Sequence, residues 1–294
     1  MAMKISRRTF IRRGTAGVAA AIILTSCGDH HSVTIHSHND YARQQPFYGA
    51  YENGASSIEC DMFYVGNDTF LVGHDLCDLD SAATFDKLYL EPLAKAVREG
   101  GRSITLMVEI KSQDPQAYVD ALQRKLEPYS DIFDPKQKRN ACGLLITGWH
   151  FPEDCSKYPS WFKYDYQYNG FNWTEIDPVR LETIGMISMN YGALKSREEV
   201  LKVIDFAHSL GKPVRFWNAP DNPEGWQMLL DMGVDCISTD NVADCILQSH
   251  RPRIISRKSH VRNLALTPDM AHLDTCRTGN NWNLFIFKTI TSQS

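Results

Sequence analysis

No run of about 18 or more apolar residues occurs in this 294-residue chain, which excludes a multi-span membrane protein. None of its eight cysteines forms a C-x-x-C pair or a zinc-type spacing, so neither a dithiol redox centre nor a zinc ribbon is encoded. Basic residues are scarce away from the two ends. Residues 1–26 hold five basic side chains and no acidic one, which leaves 26 basic against 35 acidic in the remainder. A chain that acidic is a poor partner for nucleic acid, whose binding depends on neutralising phosphates. Repeats, linkers and low-complexity stretches are missing between residues 33 and 250, and no obligate protein partner is indicated. What remains is globular composition, 43% hydrophobic and 22% charged, long enough for a single α/β barrel.

The first residues read as an export leader. Ser6-Arg7-Arg8-Thr9-Phe10 precedes a short apolar run from Ala16 to Leu24, matching a twin-arginine signal. Leu24-Thr25-Ser26-Cys27 is similar to a lipobox, so Cys27 is the expected lipidation site. These features predict a signal over residues 1–26, export in the folded state, and a periplasmic or cell-surface lipoprotein held at the membrane by a lipid anchor. With Cys27 acylated, seven cysteines remain, and an odd number in an oxidising compartment leaves at least one thiol unpaired. Cys60, Cys142 and Cys236 lie in apolar patterns and are expected in the core.

Residues 27–250 alternate short apolar strands with helical patterns, which calls for a parallel sheet with crossover helices. Strands are expected at 33–38, 57–64, 104–111, 143–147, 162–167, 186–190, 214–218 and 236–240, with a short extra one at 70–73. Eight is the number that closes a TIM (β/α)8 barrel. Helix ends are legible too: Ser196-x-x-Glu199 is a capping box ahead of Val200, Val203, Ile204 and Ala207, with Gly211 as the stop, and Asn222-Pro223 starts a helix that Gly233 ends. Residues 251–294 hold seven basic and two acidic residues and read as an appendage to a finished barrel.

Barrel sites lie at the C-terminal ends of the strands. There this sequence places His36-Ser-His38-Asn39-Asp40, Glu59-Cys-Asp61, His74-Asp75, Glu109-Ile-Lys111, Trp217-Asn218 and Thr239-Asp240. Residues i and i+2 of a strand share a face, so Glu59 with Asp61, Glu109 with Lys111, and His36 with His38 each face one way. Three inward carboxylates on neighbouring strands cannot all stay ionised in a dry mouth without a counter-charge. Either a divalent cation supplies it, with an all-oxygen set favouring Mg²⁺ or Ca²⁺, or Lys111 or Arg215 pairs with the acids in a structural network. Two histidines beside such an ion suit cleavage of a phosphodiester by acid–base catalysis. Trp217 and Tyr191 are candidate walls for the alcohol part of a substrate, His150 and Trp149 could line the mouth, and Asp240 is a candidate substrate contact.

These residues carry a family resemblance. The strand-one His, Gly54-Ala-x-x-Ile58-Glu59-x-Asp61, Val72-x-His74-Asp75 and Glu109-Ile-Lys111 resemble the glycerophosphodiester phosphodiesterases and the phosphatidylinositol-phospholipase-C-like phosphodiesterase superfamily. The string His36-Ser-His-Asn-Asp-Tyr41, with Leu88-Tyr-Leu-x-Pro-Leu93 after it, is similar to a subgroup that includes the altered-inheritance-of-mitochondria proteins. The resemblance covers about residues 33–248. It implies metal binding by Glu59, Asp61 and Glu109, catalysis by a strand-one histidine and His74, and a phosphate contact from Lys111. His38, nearer the strand end, is the favoured strand-one histidine, and His36 is the alternative. The family's His-Arg-Gly is not present, and Asn39 is assigned as the substitute donor. The implied substrate is a glycerophosphodiester or a phospholipid-headgroup diester. Two other readings compete: a non-catalytic binding lipoprotein on the same scaffold, and an amidohydrolase, which needs metal-binding histidines that 162–167 and 186–190 lack.

Overall fold

The computed structural model describes residues 33–148, 150–168 and 178–249. The expected leader, Cys27, Trp149 and the segment 251–294 lie outside the described residues. Nine strands form one sheet: β1 (Thr34–Ser37), β2 (Ser57–Gly66), β3 (Thr69–Val72), β4 (Thr105–Ile110), β5 (Gly143–Thr147), β6 (Phe162–Gln167), β7 (Ile184–Asn190), β8 (Val214–Trp217) and β9 (Cys236–Thr239). Eight of them run parallel in the order β1-β9-β8-β7-β6-β5-β4-β2, and pairing of β1 with β2 closes the ring. Strand β3 folds back antiparallel on β2 outside the ring. This is the TIM barrel expected from the alternation, with each strand within two residues of its predicted span.

Helix boundaries follow the local chemistry. Ser196 Oγ accepts from the Glu199 amide at 3.3 Å, starting the helix Arg197–Ser209. The Glu199 carboxylate bonds the Lys195 amide at 2.6 Å, one residue before the expected box partner. Asn222 Oδ1 caps the helix Pro223–Met232, and Gly233 ends it with φ 90°, a left-handed conformation that costs glycine little. Val200, Val203, Ile204 and Ala207 are buried, as the helical spacing predicts. Ile58, Val108 and Ile110 join the main core between sheet and helices.

The barrel interior is layered, because alternate residues of every strand point inward. Met107, Leu145, Met186 and Cys236 make a separate apolar cluster low in the lumen. Above it lies a buried polar layer of His36, Glu59, Asp165, Ser188 and Arg215. Arg215 organises this layer. Its Nη2 donates to Asp165 Oδ2 at 3.1 Å, its Nε to Ser188 Oγ at 3.1 Å and its Nη1 to His36 Nε2 at 3.1 Å. Glu59 Oε1 is 4.0 Å from the same guanidinium. Asp165 also accepts from Ser188 at 2.6 Å and Thr147 at 3.0 Å, so this carboxylate is fully engaged. Burial alone opposes the Arg215 charge, but Asp165 and Glu59 outweigh it and push its pKa up.

Removing one member of a buried charge network costs far more than the network contributes. Arg215→Met is expected to lower the unfolding free energy by about 3–5 kcal/mol, because Asp165 and Glu59 lose their shared cation. Urea denaturation checks this, and a loss below about 1 kcal/mol would contradict it.

Candidate active site

The mouth of the barrel opens as a cavity of about 360 Å³. His38, Asn39, Glu59, His74, Glu109 and Lys111 line one side of it, and Trp217, Gln167 and Thr147 line the other. Gly148 forms part of the rim with φ 144°. A Cβ there would press on Ile110 at 3.3 Å, and the positive φ strains any other residue at this position.

Glu59, Asp61 and Glu109 converge, each offering an oxygen within 4.8 Å of the others. The register explains it: Asp61 on β2 sits beside Glu109 on β4, and Glu59 is one layer deeper on the same face. Asp61 is completely buried. Its Oδ2 takes Tyr41 Oη–H at 2.9 Å, His74 Nδ1 at 3.0 Å and Lys111 Nζ at 3.1 Å. Its Oδ1 has no hydrogen-bond partner among the described residues. A buried carboxylate oxygen without a partner is costly, and a hard cation shared with Glu59 and Glu109 would satisfy it. The donor set therefore fits a divalent ion.

The electrostatics of the three acids differ. Burial by itself raises the Glu59 carboxyl, yet the charge of Arg215 beneath it prevails and holds it well below the usual range. The Asn39 amide adds a bond to Glu59 Oε2 at 3.1 Å. That bond needs Asn39 in a left-handed conformation, φ 47°, which asparagine adopts more readily than most residues. Glu109 is pushed up to about 7 by burial and by the neighbouring Asp61 charge, against the opposing pull of Lys111. Lys111 Nζ lies 3.2 Å from Glu109 and 3.1 Å from Asp61. Both readings of the acids are thus present at once: Lys111 and Arg215 pair with them, and an unsatisfied oxygen remains.

The histidines separate clearly. His38 lines the cavity, and its Nδ1 is 3.1 Å from Asp240 Oδ1. His74, with its side chain 55% exposed, has Nδ1 held by Asp61 and by Tyr41 Oη at 3.1 Å. His36, the alternative strand-one histidine, has no exposed surface. Arginine only donates, so His36 Nε2 accepts from Arg215, and its Nδ1–H donates to Ser57 Oγ at 2.8 Å. Burial lowers its pKa, in keeping with this neutral tautomer. His36 therefore lies against Glu59 and is not among the residues that line the cavity.

Other expected residues fall as follows. Trp217 walls the cavity, its indole N–H donating to Gln167 Oε1 at 2.9 Å. Asn39 lines the cavity, but its side chain lies against Tyr41 Oη at 2.8 Å, and its backbone holds Glu59. Asp240 is not among the walls of this cavity. Its carboxylate is bonded to His38 and to Arg43. Tyr191 packs edge-on against Phe216 and bonds Met228 Sδ, partly buried against the core. His150 is exposed beside His74 in an adjoining cavity, and His208 pairs with Asp235 on the surface.

Sequence reasoning missed Tyr41 and Arg43 as site residues. Tyr41 stood in the quoted string, but nothing in its spacing shows that its hydroxyl reaches Asn39, Asp61 and His74 together. The two subgroup strings meet in space. Tyr89 Oη–H donates to Asp40 Oδ2 at 3.0 Å, where Asp40 also accepts from Ser37 and the Phe47 amide. Burial raises the Asp40 carboxyl against these bonds. The pair anchors the loop that carries His38, Asn39 and Tyr41.

The fold is shared with solved phosphodiesterases. An Oleispira antarctica phosphodiesterase, solved in complex with the product sn-glycerol-3-phosphate, aligns with a TM-score of 0.50 and 12% identity, covering 73% of this chain and 96% of that one. A glycerophosphodiester phosphodiesterase from Parabacteroides distasonis aligns at 0.49 and 19%, covering 74% and 96%. More specifically, residues 25–114 match the AIM6-like phosphodiesterase domain. The chain is 26% identical over 276 residues to the altered inheritance of mitochondria protein 6 of Lachancea thermotolerans, covering 71% of this chain and 64% of that protein. It is 27% identical over 261 residues to the homolog in Arthroderma benhamiae, covering 71% and 82%. The match thus spans less than two thirds of the Lachancea protein. The matched domain and the fungal relatives agree with the subgroup that the motifs resemble.

They also correct one expectation. The matched relatives are fungal proteins named for mitochondrial inheritance, not bacterial twin-arginine lipoproteins. The predicted location, a periplasmic or cell-surface lipoprotein, is overturned. Among the described residues no helix is long and apolar enough to cross a membrane.

The acid cluster makes an electrostatic prediction independent of any activity. Lys111 lowers the Glu109 pKa, so in Lys111→Met this carboxyl should titrate above its value of about 7. Carboxyl ¹³C NMR in metal-free buffer reads the shift, and a downward or absent change would contradict the assignment.

Proposed function

We propose that this chain is a metal-dependent phosphoric diester hydrolase that acts on glycerophosphodiesters or related headgroup diesters, with His38 and His74 moving the protons. One observation carries the reading: an unpartnered, buried Asp61 oxygen inside a three-acid cluster, with a carboxylate-tethered histidine on either side. Glu59, Asp61 and Glu109 would hold Mg²⁺ or Ca²⁺. When bound, such an ion supplies Lewis-acid stabilisation of charge on the phosphoryl oxygens.

The chain's own residues account for the remaining requirements. Asp240 and Asp61 each accept a hydrogen bond from an Nδ1–H, which fixes both imidazoles in the tautomer that leaves Nε2 for proton transfer. One histidine takes the proton of the attacking hydroxyl, and the other protonates the leaving alkoxide as the P–O bond breaks. Attack by water gives a phosphomonoester, and attack by an adjacent substrate hydroxyl gives a cyclic phosphate. Lys111, at the cavity edge, donates to a phosphoryl oxygen. Burial and the Asp61 charge push the Tyr41 pKa up, so the phenol stays protonated and keeps its bond to Asp61. The Oleispira structure, with glycerol phosphate bound on the same fold, supports a diester of that size as the first substrate to test.

The test uses glycerophosphodiesters and bis(p-nitrophenyl) phosphate with and without EDTA. Chelation should abolish turnover, and His38→Ala or His74→Ala should each lower kcat by about 10²–10⁴-fold. Absence of turnover across the panel, with metal still bound, would favour a binding module instead.

Metal binding requires ionised carboxylates. Because Glu109 sits near 7, apparent Mg²⁺ or Ca²⁺ affinity should fall by up to about tenfold per pH unit below that value, with a proton released on binding. Calorimetry in two buffers of different ionisation enthalpy measures both. Affinity flat from pH 8 to 5.5 would remove Glu109 from the ligand set.

A further inference from the structure

We propose that Tyr41 is a positioning residue for His74: its phenol oxygen and Asp61 together seat the His74 Nδ1–H and hold the ring in one orientation. The kinetic consequence of this inference rests on the phosphodiesterase reading; the geometry does not. Tyr41 Oη, Asp61 Oδ2 and His74 Nδ1 stand at the corners of a nearly equilateral triangle, with sides of 2.9, 3.0 and 3.1 Å. The imidazole nitrogen therefore faces two oxygens at almost the same distance.

The protons can be placed in one way. An ionised carboxylate only accepts, so Tyr41 Oη–H donates to Asp61. A phenol has a single proton, so its oxygen must accept from its other two neighbours. Those are the His74 Nδ1–H and the Asn39 side-chain amide at 2.8 Å, which then turns its NH2 toward the phenol. One Nδ1–H is thus shared between two acceptors. The sharing matters because Asp61 Oδ2 alone is a weak guide for the ring. Tyr41, His74 and Lys111 Nζ, the last at 3.1 Å, all converge on this one oxygen, which offers two lone pairs. Tyr41 supplies a second acceptor beside it.

The phenol is the fixed partner of the two rings. Tyr41 lies in the 3-10 turn Asp40–Ala42, and its ring packs against the main core. The turn is pinned by buried Asp40, which accepts from the Phe47 amide at 2.6 Å, Ser37 Oγ at 2.9 Å and Tyr89 Oη at 3.0 Å. His74 follows the end of β3 by two residues, and more than half of its side chain is exposed. An exposed imidazole keeps its rotamer freedom unless contacts remove it. The core holds the phenol, and the phenol with Asp61 holds the imidazole.

The test compares the full chain with Tyr41→Phe, which removes one oxygen and leaves the ring on the core. In ¹⁵N-histidine-labelled, metal-free protein at one fixed pH and low temperature, the His74 Nδ1–H should exchange with water about 2- to 12-fold faster in Tyr41→Phe, the equilibrium worth of one net hydrogen bond. His74→Ala assigns the signal. The unsubstituted protein should show an NOE from this proton to the Tyr41 ring, a readout that needs no variant. On a glycerophosphodiester, Tyr41→Phe should lower kcat by about 2- to 12-fold and leave KM within about twofold. In a His74→Ala background it should cause no further loss, because its effect passes through that ring. An unchanged exchange rate, a missing NOE, or the same proportional loss of kcat without His74 would each overturn the proposal. Faster exchange with no turnover of any diester supports the role of Tyr41 and removes the phosphodiesterase reading. Turnover with neither NMR effect removes the role of Tyr41 alone.

Discussion

Three carboxylates crowded into one barrel mouth are the constraint around which the rest of this molecule is arranged. Parallel register brings Asp61 beside Glu109 and puts Glu59 one layer below. Left alone, such a group would protonate or splay apart. The chain answers with a cation below, Arg215, and a cation beside, Lys111. The compensation is uneven. Glu59 is held ionised, Glu109 is pushed toward neutrality, and one oxygen of Asp61 has no partner among the described residues. A folded protein tolerates that deficit at a place where a ligand completes the set, which is why the reading depends on the incompleteness of the network more than on its contacts.

The polar layer under the site also requires explanation, because a barrel lumen can be filled with apolar side chains, as Met107, Leu145, Met186 and Cys236 show here. Arg215 needs Asp165, and Asp165 then draws in Ser188, Thr147 and Gln167. Gln167 in turn orients Trp217 at the mouth. The chain of bonds runs from the base of the acid cluster to the far wall of the cavity. Fixing the cation beneath Glu59 thereby also fixes the wall that faces a ligand.

How far the sequence reveals all this depends on which periodicity is at work. Period two in 57–64 and 104–111 is enough to place Glu59, Asp61, Glu109 and Lys111 on one face, and the observed register agrees. The alternation of strands and helices likewise yields the closed ring, including the six residues of β6. Loops carry no such rule. Asn39 turns left-handed to aim its amide at Glu59, and that single dihedral decides that its backbone, not its side chain, serves the site. Asp240 and Arg43 are 197 residues apart, and no local pattern shows that both meet His38. The string from Leu88 to Leu93 marks the subgroup resemblance, and its tyrosine works as a strut for Asp40.

His36 and His38 show what sequence position alone leaves undecided. They are two residues apart on one strand, face the same way, and have the same intrinsic basicity. One layer of depth separates their roles. His36 is enclosed by Ser57, Glu59 and Arg215, so both ring nitrogens are committed and burial keeps the ring neutral. His38 reaches the cavity with one nitrogen tied to Asp240 and the other uncommitted among the described contacts. Proton transfer requires a nitrogen that can gain and lose a proton in contact with a ligand. Of these two identical side chains, burial shuts the first away from the cavity, and the strand end brings the second to it.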